Sequence, residues 1–174
     1  DWTVNMITRD REGSLYCVGT AGNVGRWDAS KLTWNEEFTS KWTLNIIAWE
    51  PRTDGKIYCV GTSGNVGTWN GNGWDDQGRL GGWDLKMLTF DPQGTMWGVG
   101  TSGNIGKWVN GKWEDYGKHD KWELKMLTFD HDGNVWAVGT GQNIGYSPAP
   151  FPRNGWTDVG HPHIKWDLTW IYLA

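Results

Sequence analysis

Long apolar runs are missing from this chain: nothing in its 174 residues approaches the ~20 consecutive apolar positions of a membrane-spanning helix. Sustained helical periodicity is missing as well, which leaves β-structure as the way to bury its apolar side chains. Basic charge is in short supply. Lys and Arg number 16 against 20 Asp and Glu, for a formal net charge of −4. A nucleic-acid surface needs a basic stripe that this balance does not provide. No Asn-x-Ser/Thr sequon occurs, so N-glycosylation is not expected. No secretory leader is visible, and Asp1 in place of an opening Met suits a processed chain.

Cysteine is nearly absent. Cys17 and Cys59 hold the same place in Leu15-Tyr-Cys-Val-Gly19 and Ile57-Tyr-Cys-Val-Gly61, where two later copies carry Gly98 and Ala137. A position filled by Cys, Gly or Ala is a tight spot for a small side chain. Equivalent points on neighbouring repeats lie too far apart for a disulfide, so two free, buried thiols are predicted. What the chain does have is Trp and Gly, 16 and 26 of them, against four Phe and five Tyr. Trp joins a wide apolar face to one N–H donor and serves sheet cores and sugar pockets alike.

Internal repetition is the strongest signal. Trp2, Trp42, Trp83, Trp122 and Trp166 each open an apolar stretch, at spacings of 40, 41, 39 and 44. Asn23, Asn65, Asn104 and Asn143 mark a second register, at spacings of 42, 39 and 39. A period near 40 with β-type patterning is that of a propeller blade. One all-β domain over residues 1–174 is predicted: a small propeller of four, or five, four-stranded blades. The repeats run over about 2–40, 41–81, 82–120 and 121–164, with a Trp-led closing strand over 165–174.

The third repeat shows the grammar. Trp83–Phe90 reads as a strand, Asp91-Pro-Gln-Gly94 as a tight turn, and Thr95–Gly100 as a second strand. Thr101-Ser-Gly-Asn104 is the second turn and Ile105–Trp108 the third strand. Asn110-Gly111 makes a hairpin turn into a fourth strand, Lys112–Tyr116. Three prolines in Ser147–Pro152 forbid ladder pairing and mark a loop between the last two strands of the fourth repeat. Both termini carry a candidate first strand for blade one, Trp2–Thr8 and Trp166–Leu173, and the C-terminal copy is the preferred one. The surplus strand would be an association hazard, so a homodimer is an expected partner state.

The stretch Gly81–Gly100, with its Gly-Gly-Trp-Asp opening, a lysine inside an apolar strand, and Phe-Asp-Pro-x-Gly, resembles the repeat of the tachylectin-2-like propeller lectins. Looser similarity extends to the tectonin-type lectins, through the Trp, Val-Gly and Gly-Asn punctuation. The likeness runs through nearly all 174 residues. It implies a ring of blades, a sugar site near each blade junction, N-acetylhexosamine ligands such as N-acetylglucosamine on cell-surface or microbial glycans, and a secreted or extracellular setting. The chain departs in showing four repeats, not five, and a Gly-Asn pair in the second turn.

Strand alternation puts the second turn of a blade on the same side as the link that carries the opening Trp. The predicted ligand cleft therefore joins Thr62, Ser63 and Asn65 with Trp42 or Trp83, and Thr101, Ser102 and Asn104 with Trp83 or Trp122. Thr140 and Asn143 fall beside Trp122 or Trp166, and Asn23 beside Trp42 or Trp2. An indole can cover the C–H face of a pyranose while Asn, Ser and Thr meet its hydroxyls. Acidic residues follow three of these tryptophans, at Asp84, Glu123 and Asp167, and a carboxylate can accept from two hydroxyls.

Each feature also has a purely structural reading. Asn tolerates left-handed backbone, which alone explains a Gly-Asn turn. The opening tryptophans can be packing, and Trp27, Trp69, Trp108, Trp34, Trp74, Trp113 and Trp156 read as inter-blade core. Asp75-Asp76 and Glu114-Asp115 read as outward edge protection. Lys41, Lys121 and Lys165 read as solvated charges. His161 and His163 form the only close His pair, too little for a metal site. No nucleophile motif, phosphate loop or cofactor motif is present, so catalysis is not expected. The leading expectation is a multivalent lectin. The alternatives are a protein-interaction propeller working through the Pro-rich loop and His161–His163, and an enzyme or pigment binder with a Trp-lined channel.

Overall fold

The computed structural model describes residues 3–38, 42–52, 55–118, 122–151 and 156–160. These hold sixteen strands in four sheets, each built from four consecutive strands. Blade one is β1 (Val4–Arg9), β2 (Leu15–Gly19), β3 (Val24–Asp28) and β4 (Thr33–Phe38). Blade two is β5 (Leu44–Trp49), β6 (Ile57–Gly61), β7 (Val66–Trp69) and β8 (Trp74–Asp76). Blade three is β9 (Leu85–Phe90), β10 (Met96–Gly100), β11 (Ile105–Val109) and β12 (Lys112–Gly117). Blade four is β13 (Leu124–Phe129), β14 (Val135–Gly139), β15 (Ile144–Ser147) and β16 (Thr157–Gly160). The fold class is the four-bladed, all-β propeller that the period predicts. Among the described residues the only helical element is one 3-10 turn, Leu80–Gly82.

The chain divides into two compact units, Asp1–Lys86 and Met87–Ala174. The first contains blades one and two. The second contains blade four and blade three from Met87 onward.

Burial follows strand position within a blade. In β5, Leu44, Ile46, Ile47 and Ala48 are all buried, and in β13 Leu124, Met126 and Leu127 are. First strands covered on both faces read as near-continuous apolar runs. The fourth strands β4 and β12 are largely exposed and carry the charges. The polar residue inside three of the apolar first strands, β1, β5 and β13, has a backbone cause. Pairing slips between Val4 and Met6, between Leu44 and Ile46, and between Leu124 and Met126. Asn5, Asn45 and Lys125 are thus the extra residues of β-bulges, which a ladder leaves unpaired.

Blades within a unit meet through the same contacts. Ile47 N donates to Met6 Sδ at 3.3 Å in the first unit, and Leu127 N to Met87 Sδ at 2.9 Å in the second. Tyr16 packs on Trp49 at 4.8 Å and Phe38 on Trp69 at 4.4 Å, while Trp97 packs on Phe129 at 5.5 Å. Among the outer-hairpin tryptophans, Trp69 makes the expected inter-blade contact, to Phe38 of blade one. Trp27 and Trp34, Trp69 and Trp74, and Trp108 and Trp113 are direct cross-strand partners, with ring centroids 5.2, 5.2 and 5.0 Å apart in edge-to-face pairs. These pairs also clamp a hairpin within one blade, because opposed strand positions point to the same face, and they are only partly buried. Trp156 leans instead on Trp122, at 6.2 Å.

The cysteines lie as predicted, free and buried, opposite Gly25 and Gly67 on the neighbouring strand. Burial pushes the Cys17 thiol up to about 11 and the Cys59 thiol up to about 12. The terminal assignment is corrected. β1 pairs with β2 from Val4↔Gly19 to Arg9↔Leu15, so the N-terminal copy holds the first-strand place of blade one. Its apolar positions match the small residues of β2 across the ladder. Residues 165–174, expected to close blade one, lie outside the described residues.

First turns are organised by one carboxylate. Asp91 Oδ1 accepts from Gln93 N and Thr95 N, and its Oδ2 from the Trp97 indole at 3.0 Å. Asp130 accepts from Asp132 N, Asn134 N and Nδ2, and the Trp136 indole. Partial desolvation of the Asp130 carboxyl works against its charge, but the hydrogen bonds from Asn134 and Trp136 outweigh it and hold the group below the usual carboxylate range.

A carboxyl lowered in the fold contributes stability that is present above its unfolded value of about 4 and is lost as pH falls through the folded value. Urea midpoints of the wild type should therefore fall on acidification through that window. Asp130→Asn should flatten the decline; an unchanged slope would contradict the assignment. Glycine geometry yields a second expectation. Gly22 has φ +85° and a Cβ there would lie 2.6 Å from Trp42 O, whereas Gly71 has φ +96° with open space around it. Gly71→Ala should cost about 1 kcal/mol from backbone strain alone. Gly22→Ala should cost roughly 3 kcal/mol or more, because backbone must also move. Equal losses in Tm would refute the distinction.

Candidate functional site

The opening Trp lies on its own blade because two glycines make room for it. A Cβ on Gly61 would sit 3.2 Å from Trp42 Cε3, and one on Gly67 3.3 Å from Cζ3. In blade four Gly139 and Gly145 have the same relation to Trp122, at 3.2 and 3.1 Å. The ladder begins two residues after each Trp, at Leu44, Leu85 and Leu124. The residue after the Trp is tied by its carbonyl to the second turn of the same blade. Thr20 N donates to Thr3 O at 2.9 Å, Thr62 N to Thr43 O at 2.9 Å, and Thr140 N to Glu123 O at 2.7 Å.

This arrangement produces two equivalent clefts. One, of about 320 Å³, is lined by Trp42, Thr43, Gly61, Thr62, Ser63, Asn65 and Asp76. The other, of about 350 Å³, is lined by Trp122, Glu123, Gly139, Thr140, Gly141, Asn143 and Asp158. Both lie within a single blade. The expected inter-blade cleft is corrected in that respect, because the Trp–glycine packing seats each indole on its own sheet. Trp83 and Asp84 do not line the blade-two cleft. Asp84 instead abuts the second turn of blade two, where a Cβ on Gly64 would lie 3.1 Å from Asp84 Cα. Its Oδ1 is 2.6 Å from Arg79 Nε, which leaves it less available than expected to accept from a ligand. Thr101, Ser102 and Asn104 form the corresponding turn of blade three and Asn23 that of blade one. Trp166 and Asp167 lie outside the described residues, as do Trp2, His161 and His163. A further cavity of about 420 Å³ is lined by Asp10, Arg11, Glu12, Trp49 and Gly55, from the first turns of blades one and two and the end of β5.

The asparagines are not in left-handed backbone. Positive φ falls on the preceding residue, Gly22 at 85°, Gly64 at 82°, Gly103 at 89° and Gln142 at 68°. Three of the four, Asn65, Asn104 and Asn143, serve another purpose through the side chain. Asn65 Nδ2 donates to Asp76 at 3.2 and 3.1 Å, Asn104 Nδ2 to Asp115 at 3.2 and 3.0 Å, and Asn143 Nδ2 to Asp158 at 2.8 Å. The same carboxylates accept the backbone N–H two residues on, from Gly78, Gly117 and Gly160, at 2.7, 2.7 and 2.8 Å. Asp76 and Asp115, read from sequence as outward edge protection, are therefore tied back to the second turn, and Asp76 lines the blade-two cleft. The signal for them was present as Asp76-Gln-Gly78, Asp115-Tyr-Gly117 and Asp158-Val-Gly160, an Asp-x-Gly that blade one replaces with Glu36-Glu37-Phe38.

No family model matches the chain, and no curated protein does. Solved structures do. An auxiliary nutrient binding protein from Bacteroides thetaiotaomicron matches with a TM-score of 0.66 at 14% identity, over 90% of this chain and 40% of that one. A symmetrical protein studied for its de novo evolutionary emergence matches with a TM-score of 0.62 at 17% identity, over 91% of this chain and 77% of that one. YCF48 bound to D1 peptide matches with a TM-score of 0.60 at 17% identity, over 83% of this chain and 49% of that one. The chain thus spans half or less of the length of two of these three. At such identities the likeness establishes the fold alone, and the tachylectin and tectonin resemblance gains no family match.

The Asn–Asp pair can be tested apart from any ligand. Asp115→Ala and Asn104→Ala should each lower stability by about 1 kcal/mol, and the double variant should lose less than the sum. Strict additivity in urea unfolding would show the pair to be idle.

Proposed function

We propose that this chain is a carbohydrate-binding protein, a multivalent lectin whose sites are the Trp–Thr–Asn–Asp clefts and whose ligands are pyranoses of the N-acetylhexosamine type on extracellular glycans. The observation that carries this reading is the recurrence in blades two and four of one cleft frame, with Trp, Thr, Asn and Asp at corresponding places. An indole wall suits the C–H face of a sugar ring. The Thr and Ser hydroxyls can donate to an acetamide carbonyl or accept from ring hydroxyls. The Asp carboxylates accept further donors while remaining anchored by Asn and Gly. Each open cleft is small, so single sites are weak and repetition supplies avidity. Glycoside hydrolysis needs two carboxyl groups flanking the scissile bond; the blade-two cleft has only Asp76, so a pair is not part of the recurring frame, although Glu123 joins Asp158 in blade four.

The test is titration with N-acetylglucosamine and N-acetylgalactosamine, followed by NMR at the assigned indole N–H signals of Trp42 and Trp122. Saturable shifts at both are expected. Thr62→Ala should weaken binding at Trp42 by about 0.5–1.5 kcal/mol while leaving Trp122 unaffected. Silence of both indoles toward every N-acetylated monosaccharide would overturn the proposal.

A further inference from the structure

The two clefts share a frame but not a chemistry. The residue after the Trp is fixed identically in both, its carbonyl held by the turn Thr, at 2.9 Å for Thr43 and 2.7 Å for Glu123. Blade two places a neutral hydroxyl at that point and blade four a carboxylate. The next turn position differs too: Ser63 in blade two, Gly141 in blade four. In blade three the serine at this place, Ser102, donates its hydroxyl to Asn104 Oδ1 at 3.1 Å. Gly141 supplies no such donor, and a Cβ there would lie 2.9 Å from Asn143 Oδ1, so the amide oxygen sits close against this turn.

The blade-four cleft consequently gathers acceptors. Asn143 gives its Nδ2 to Asp158 and keeps Oδ1 toward the Gly141 side. Asp158 and Glu123 add two carboxylates, and none of the lining residues is basic. Among the described residues Glu123 has no ion-pair partner, in contrast to Asp84, which faces Arg79. Lys118 comes close to Glu123: a Cβ on Gly103, in the second turn of blade three, would lie 3.6 Å from both Lys118 Cε and Glu123 Cγ. Its ammonium makes no ion pair with Glu123. The blade-two cleft, with Thr43, Thr62 and Ser63, offers hydroxyls that donate as well as accept.

We infer that the two clefts differ in ligand class: the blade-four cleft selects a cationic amino sugar, a hexosamine with a free amine, through Glu123, while the blade-two cleft takes the neutral N-acetylated form. An ammonium brings three N–H donors to a wall of acceptors and its charge to two carboxylates. An acetamide brings a carbonyl acceptor, which the hydroxyl-rich blade-two cleft can satisfy and the blade-four cleft serves poorly. The assignment rests on the lectin reading and makes Glu123 its specificity-determining residue.

The experiment titrates glucosamine and N-acetylglucosamine separately, at low ionic strength and a mildly acidic pH where the amine is charged and carboxylates remain ionised. It reads the indole N–H signals of Trp42 and Trp122 in the wild type, in Glu123→Thr and in Thr43→Glu. Trp122 should prefer glucosamine by roughly three- to tenfold, the range of one partly exposed charge-assisted contact. Glu123→Thr should abolish that preference, and Thr43→Glu should create one at Trp42. Equal affinity of the two sugars at Trp122, or a ratio unmoved by Glu123→Thr, would overturn the inference while a Trp42 response to N-acetylglucosamine left the lectin reading standing. No response of either indole to either sugar would overturn both.

Discussion

An indole laid flat across two β-strands requires that both strands present no side chain beneath it, and this requirement organises the repeat. Trp42 covers Gly61 at the end of β6 and Gly67 within β7, and Trp122 covers Gly139 and Gly145. The Val-Gly that ends each second strand and the glycine inside each third strand follow from it. So does the delayed start of the first-strand ladder, since the backbone must turn past the ring before it can pair. With the ring in place, the second turn is held against the residue after the Trp, and the cleft is the space left between the indole and that turn. Packing and site are therefore one structure, and a side chain large enough to disturb the glycines would remove both.

A second constraint acts at the outer strand. The fourth strand of a blade is an exposed edge with little apolar burial of its own. The Asp-x-Gly carboxylate ties it to the second turn through Asn, and the edge-to-face tryptophan pairs tie it to the third strand. Blade one keeps the tryptophan pair, Trp27 with Trp34, but lacks the Asp-x-Gly carboxylate, and a different aspartate is engaged at its outer hairpin. There Asp28 accepts from the backbone N–H of Ser30 and Lys31, the Ser30 hydroxyl and Asn35 Nδ2, and stands 3.1 Å from Lys31 Nζ. Hydrogen bonds from Ser30 and Lys31, with that from Asn35, hold its carboxyl far below the ordinary range.

Much of this was legible in the residues. The 40-residue period, the Asp-led first turn and the Asn110-Gly111 hairpin all follow from local chemistry, and the third repeat matches its predicted strands to within two residues. The buried thiols were equally readable, because Cys, Gly and Ala alternate at one position. The site was legible in outline only. Trp, Thr and Asn could be picked out by recurrence, but whether an indole turns toward its own blade or the next depends on which glycines lie beneath it. Asp76 and Asp115 were misread because a carboxylate on an outer strand looks the same whether it faces water or reaches across to a turn eleven residues back. Asn was credited with a backbone role that Gly22, Gly64 and Gly103 in fact perform. The choice of first strand for blade one was undecidable from composition, since two similar segments compete for it.

The Asn–Asp tie also separates the root of the outer hairpin from its tip. Asn65 reaches Asp76 and Asn104 reaches Asp115 across eleven positions, yet Asn143 reaches Asp158 across fifteen, with Pro148, Pro150 and Phe151 in the added length. The bond at the root is as short in the longer hairpin as in the others. Chain length at the tip is thus free to vary by several residues while the cleft wall stays put. The hairpin ends of this repeat are natural graft points, where foreign peptide can be displayed beside a cleft without being built into it.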